Sequence, residues 1–123
     1  MTLEKIMTIL QGEVICGKEF LNMDIVTACG CDLMSHVLFH ISDKSVSTML
    51  LTGLANPQVI YAADAVDIKA ICFVRGNKPG EDTVKLAEER NIVLIWSELP
   101  MFEACGKLYK NGIMGTSEYA STE

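Results

Sequence analysis

Lys69-Ala70-Ile71-Cys72-Phe73-Val74, then Arg75-Gly76-Asn77-Lys78-Pro79-Gly80, then Glu81 to Arg90, is the stretch whose reading decides the fold. Residues 70–74 are apolar and β-rich without alternation, as in a strand covered on both faces. Gly76 and Pro79-Gly80 stop that run. Val84, Leu86 and Ala87 then give a helix one apolar stripe, while Lys85, Glu88, Glu89 and Arg90 give it a wet face. Glu81 and Asp82 in the first turn and Arg90 in the last suit the helix dipole. Ile92-Val93-Leu94-Ile95-Trp96 is a second apolar run after only Asn91. Two buried strands joined by a helix make a right-handed crossover between parallel neighbours.

Working outward, Thr48–Thr52 reads as a strand stopped by Gly53. Asn56 caps a helix that has Pro57 at its first position and runs to about Asp67, with Val59, Ile60, Ala63 and Val66 inward. Pro100–Lys110 reads as a last helix, with Met101, Ala104, Cys105 and Leu108 on one side and Gly112 at its end. Residues 48–112 thus repeat strand, loop and helix. Ahead of them, Thr2 caps a short helix with Leu3, Ile6, Met7 and Leu10 on one face. Glu13–Cys16 is a short strand and 18–22 a connector with room for a helical turn. Asp24–Cys29 is a strand ended by Gly30. Residues 31–41 fit either helix or strand, and 42–47 form a polar loop. The sum is one three-layer α/β/α domain over residues 1–115 with a mixed, mainly parallel sheet. The polar segment 116–123 is expected to be a disordered tail.

The 123 residues suffice for one core, and 50% hydrophobic with 21% charged residues is a globular composition. A net charge of −6 and the lack of a basic cluster argue against nucleic acid. No apolar run is long enough to span a bilayer, and residues 1–10 carry no signal-peptide pattern, so a cytoplasmic protein is expected. Five cysteines, one inside a predicted buried strand, read as packed thiols in a reducing compartment.

In an open parallel sheet ligands bind beyond the carboxyl ends of the strands. Three loops gather there: 52–56, 75–78 and 97–99. Each leads into a helix N-terminus with free N–H groups, and Arg75 and Lys78 add full charges. The candidate ligand-binding residues are Thr52, Gly53, Asn56, Arg75, Gly76, Lys78 and Ser97, and the expected ligand is a small anion such as a nucleotide or phosphorylated metabolite. The plainer reading makes these glycines turn formers and leaves Arg75 and Lys78 solvated or paired with Glu98. No phosphate-loop, dinucleotide-binding or nucleophile-elbow motif is present. Asp32, His36 and His40 share a face on a helix, but with Cys29 and Cys31 they do not make a standard zinc spacing. No catalytic residue, metal or cofactor is therefore expected. An enzyme would have to lean on His36, His40 or Glu98.

The elements Leu51-Thr52-Gly53, Ala70 to Pro79, Leu86-Ala87-Glu88-Glu89 and Ile92-Val93-Leu94 resemble the DRTGG domain family. With Gly12-Glu13-Val14 and Ala28 to Ser35, the whole chain looks like its short stand-alone members, which are similar to the N-terminal domain of HPr kinase/phosphorylase and more distantly to that of the Mur ligases. The namesake motif stands here as Thr52-Gly53-Leu54-Ala55, without its acidic and basic pair. The resemblance implies helices on both faces of a mixed sheet, a bacterial source, and a regulatory or ligand-sensing module without the kinase's catalytic phosphate loop. Three functions stay open: a non-catalytic module sensing a small anion; a protein-interaction or oligomerisation domain, which an exposed Met101-Phe102 or Tyr109 patch would favour; and a small enzyme. A homodimer fits the first two.

Overall fold

The computed structural model describes residues 1–32 and 47–116. Thr2 caps α1 (Leu3–Ile9) by accepting the Lys5 amide at 3.3 Å. The chain continues through β1 (Glu13–Cys16), a 3-10 turn (Lys18–Phe20) and β2 (Thr27–Gly30). Then come β3 (Thr48–Thr52), α2 (Pro57–Ala65), β4 (Ala70–Phe73), α3 (Glu81–Glu89), β5 (Val93–Trp96), α4 (Met101–Lys110) and β6 (Met114–Gly115). The sheet order is β1-β5-β4-β3-β2-β6. Strands β2 to β6 run parallel to one another, and β1 pairs antiparallel with β5 at one edge.

Every residue of β3 and β4 is buried, which is why these strands show no alternation in the sequence. Met49, Leu51, Ala70, Cys72, Val93 and Ile95 pack with α1 and α4 on one face. Leu50, Ile71, Phe73 and Leu94 pack with α2 and α3 on the other. The result is the three-layer α/β/α arrangement expected from the sequence. Among the described residues no helix is long and apolar enough to cross a membrane.

The structure corrects several local expectations. Strand β2 begins at Thr27 because Asp24 is held elsewhere: its carboxylate takes the N-terminal ammonium of Met1 at 2.7 Å and it bridges Thr2. Helix α2 ends at Ala65, and Asp67 turns the chain with φ of 59°. Asn56 has extended cap geometry, but its side chain makes no capping bond. Arg90 lies at the C-cap of α3 and crosses to α2, pairing with Asp64 and lying 5.6 Å from the Tyr61 ring centroid. Strand β6 has no counterpart in the sequence reading. Residues 33–46, with His36, His40 and the polar loop, and the tail from 117 onward lie outside the described residues.

Candidate functional site

The registers Leu51↔Cys72 and Cys72↔Ile95 align the ends of β3, β4 and β5, so their three following loops meet at one edge of the sheet. Thr52 is buried, and its hydroxyl accepts the Leu54 amide at 3.1 Å, folding the first loop back on itself. The Asn77 side-chain amide donates to the Gly53 carbonyl at 2.8 Å, tying the second loop to the first. The Arg75 amide donates to the Leu99 carbonyl at 2.9 Å and the Gly76 amide to the Ser97 carbonyl at 2.8 Å, tying the second to the third. The three loops are therefore cross-braced by backbone and amide bonds.

Arg75 occupies the centre. It has φ of 60°, and Gly76 follows with φ of 71°. A left-handed arginine costs backbone energy that a glycine would not, so the conformation persists only because its surroundings hold it. The bonds from Arg75 and Gly76 to Leu99 and Ser97 are that hold. The guanidinium then lies over Gly53: a Cβ there would overlap Nη2 and stand 3.1 Å from Cζ. Gly53 is thus needed for close approach.

Asp32, just past β2, completes the cluster. Its Oδ1 accepts the Gly53 amide at 2.7 Å and the Thr52 hydroxyl at 3.1 Å. Its Oδ2 lies 3.7 Å from Arg75 Nη2, with both side chains about half exposed. The carboxylate does what an anion's oxygens do at such a loop: it takes a backbone N–H, a hydroxyl and a guanidinium. Sequence reasoning missed this residue as a member of the loop cluster. The register Gly30↔Leu51, extended by the Cys31 amide bond to the Leu51 carbonyl at 2.9 Å, carries Asp32 to Gly53. That inference needs the β2–β3 pairing, which no local pattern announces. The strand order reverses between β2 and β6, on the opposite side of β2 from these three loops.

The remaining candidates divide. Lys78 places its ammonium 4.1 Å from the Trp96 ring centroid, a cation–π contact at the rim. Asn56 opens α2 beside the first loop. Ser97 is buried, and its hydroxyl donates to the Leu10 carbonyl at 2.7 Å and accepts the Leu99 amide at 3.2 Å, so it braces the third loop.

Cys16, Cys29, Cys72 and Cys105 are free thiols. Burial pushes the Cys72 thiol up to about 12, with a smaller push from Cys105. Burial also pushes Cys29 up to about 11, helped by Cys31 and Cys105. Both are protonated at neutral pH and poor nucleophiles. Among the described residues no group of three or more His, Cys, Asp or Glu side chains could hold a metal ion.

No protein-family model matches the chain. No curated protein matches it in sequence. Among solved structures it is similar to the CBS and DRTGG domains of the regulatory region of Clostridium perfringens pyrophosphatase, complexed with the activator diadenosine tetraphosphate. The two are 15% identical with a TM-score of 0.68, over 95% of this chain and 49% of that one. The chain therefore spans about half of that region. The likeness is one of fold, and it supports a DRTGG-like architecture.

Proposed function

We propose that this chain is a non-catalytic regulatory module that senses a small anionic ligand, a nucleotide or phosphorylated metabolite, at the carboxyl ends of β3, β4 and β5. The observation that carries this reading is the half-exposed Arg75 guanidinium, which a left-handed backbone sets over Gly53 among three mutually braced loops. Arginine offers a planar fork that matches phosphate or carboxylate oxygens in two bonds. Thr52, Gly53, Asn56, Arg75, Gly76 and Lys78 border the ligand, and Ser97 holds the third loop in place. An entering phosphate competes with Asp32 for the Gly53 amide and Arg75, so binding displaces the carboxylate. That the similar regulatory region was solved with a diadenosine polyphosphate makes adenine nucleotides the first class to test.

The test is a thermal-shift screen against nucleotides, phosphorylated sugars and inorganic phosphate, since a ligand that binds only the folded state raises Tm. A saturable rise with one phosphorylated class, lost in Arg75→Ala, is expected. No shift with any of them favours a second reading, an interaction domain without ligand. Phe102, 88% exposed on α4, is the observation behind that alternative.

A further inference from the structure

The outer face of α4 has no role in the crevice, and its pattern is specific. Ala104 and Leu108 anchor the helix inward. Outward it exposes Phe102 at 88% and Tyr109 at 62%. These two lie about two turns apart, on one stripe. Gly106 lies between them on the exposed face, and a Cβ there would meet nothing within 4 Å. Nothing in the described fold requires a glycine at that position, although a glycine inside a helix is destabilising relative to alanine. Glu103 and Lys110, also exposed and about two turns apart, form a parallel stripe on the far side of Gly106. A groove of about 370 Å³ runs beside the aromatic stripe, with Gly30, Cys105 and Gly115 in its lining.

We infer that this face pairs with the same face of a second copy, α4 against α4 in antiparallel, crossing at Gly106. A two-fold axis relating antiparallel helices keeps matching sides together. The aromatic stripe of one copy then meets that of the other, with Phe102 beside the partner's Tyr109. The charged stripes also meet, with Glu103 beside the partner's Lys110. A parallel two-fold pair would set each aromatic stripe against a charged one, so the charge order selects the antiparallel form. The helix dipoles favour the same choice. Gly106 at the crossing lets the two backbones approach closely, and the groove receives the partner's ring. Aromatic anchors around a small residue, rimmed by opposite charges, are what a self-complementary interface needs. This inference is independent of the anion crevice.

The experiment is sedimentation equilibrium of the full chain across a concentration series, with melting curves to check each variant. All four positions are exposed, so the variants are expected to fold as the wild type does. The wild type should shift from 13.5 kDa toward twice that mass. Phe102→Ala and Gly106→Leu should each abolish the shift. Glu103→Lys or Lys110→Glu alone should weaken association by roughly tenfold, because every like-charge contact occurs twice in a two-fold pair. The double reversal Glu103→Lys with Lys110→Glu should restore it. A wild type that stays monomeric, a dimer indifferent to Phe102→Ala and Gly106→Leu, or a double reversal no better than the single ones would each overturn the proposal.

Discussion

Replacing Gly53 by alanine adds one methyl group and tests the proposed crevice without touching a charged residue. The new Cβ would overlap Arg75 Nη2 and crowd Cζ at 3.1 Å and Nε at 3.4 Å, so the guanidinium must swing away. The backbone suffers little, because only the far end of a flexible side chain is displaced. What the fold loses is the Arg75–Asp32 pair at 3.7 Å between two half-exposed groups, worth about 0.2–1 kcal/mol before solvent screening. Alanine also restricts the unfolded chain, offsetting about 0.4–1 kcal/mol. Net stability should therefore stay within about 1 kcal/mol of wild type. Ligand binding should respond far more. A hydrogen bond to a charged group contributes about 1.5–3 kcal/mol, so its loss weakens affinity by roughly ten- to 150-fold. The assay is isothermal titration with whichever phosphorylated class raises Tm, beside a urea melt of the same variant. Wild-type affinity in Gly53→Ala would refute the proposed placement of the guanidinium over the ligand. An unfolded Gly53→Ala would show that Gly53 serves the fold and not the site.

The remaining predictions concern the same cluster and the core beneath it. Asp32→Asn removes the competing charge while keeping an acceptor for the Gly53 amide, so anion affinity should rise by roughly three- to tenfold, measured by titration at low salt. Arg75→Gly relieves a left-handed non-glycine residue but frees the unfolded chain and loses the Asp32 pair, so stability should stay within about 1 kcal/mol of wild type while binding is abolished; a larger loss in a urea melt would mean the side chain is structural. The thiols set a limit at high pH. Cys72 and Cys29 hold their protons in the fold up to about 12 and about 11, whereas an unfolded thiol releases its proton near 9.0. The unfolded state therefore binds fewer protons above that value. The contribution is whole below about pH 9 and is lost as pH climbs toward the folded values, at up to about 1.4 kcal/mol per pH unit for each thiol. Denaturant melts at pH 8, 9 and 10 should show this fall, and Cys72→Ala should flatten it.

The β3–α2–β4–α3–β5–α4 run was legible because each strand is an unbroken apolar segment closed by Gly or Pro, and each helix carries one buried stripe. Both signals are local. What the sequence did not reveal depends on contacts between distant segments. Strand β6 is two residues long and exists because Met114 and Gly115 pair with Thr27 and Ala28. Asp32 reaches Gly53 only through the β2–β3 register. Ser97 is a candidate ligand-binding residue by its position after a strand, while its hydroxyl donates to the Leu10 carbonyl at the end of α1. The need for Gly30 also comes from another element: a Cβ there would stand 2.8 Å from Cys105 Sγ on α4. Arg75 was visible as a cation in the second loop. Its left-handed backbone was not, because it follows from bonds to the third loop.

The most direct measurement is an amide-resolved NMR titration of the wild-type protein with ATP as the first adenine nucleotide. Saturable shifts are expected, concentrated at the amides of Gly53, Arg75, Gly76 and Asn77, with Asp32 moving as its hydrogen bond to Gly53 is released. Saturable shifts confined to α4 and β6, with the three loops unmoved, would contradict binding at these loops.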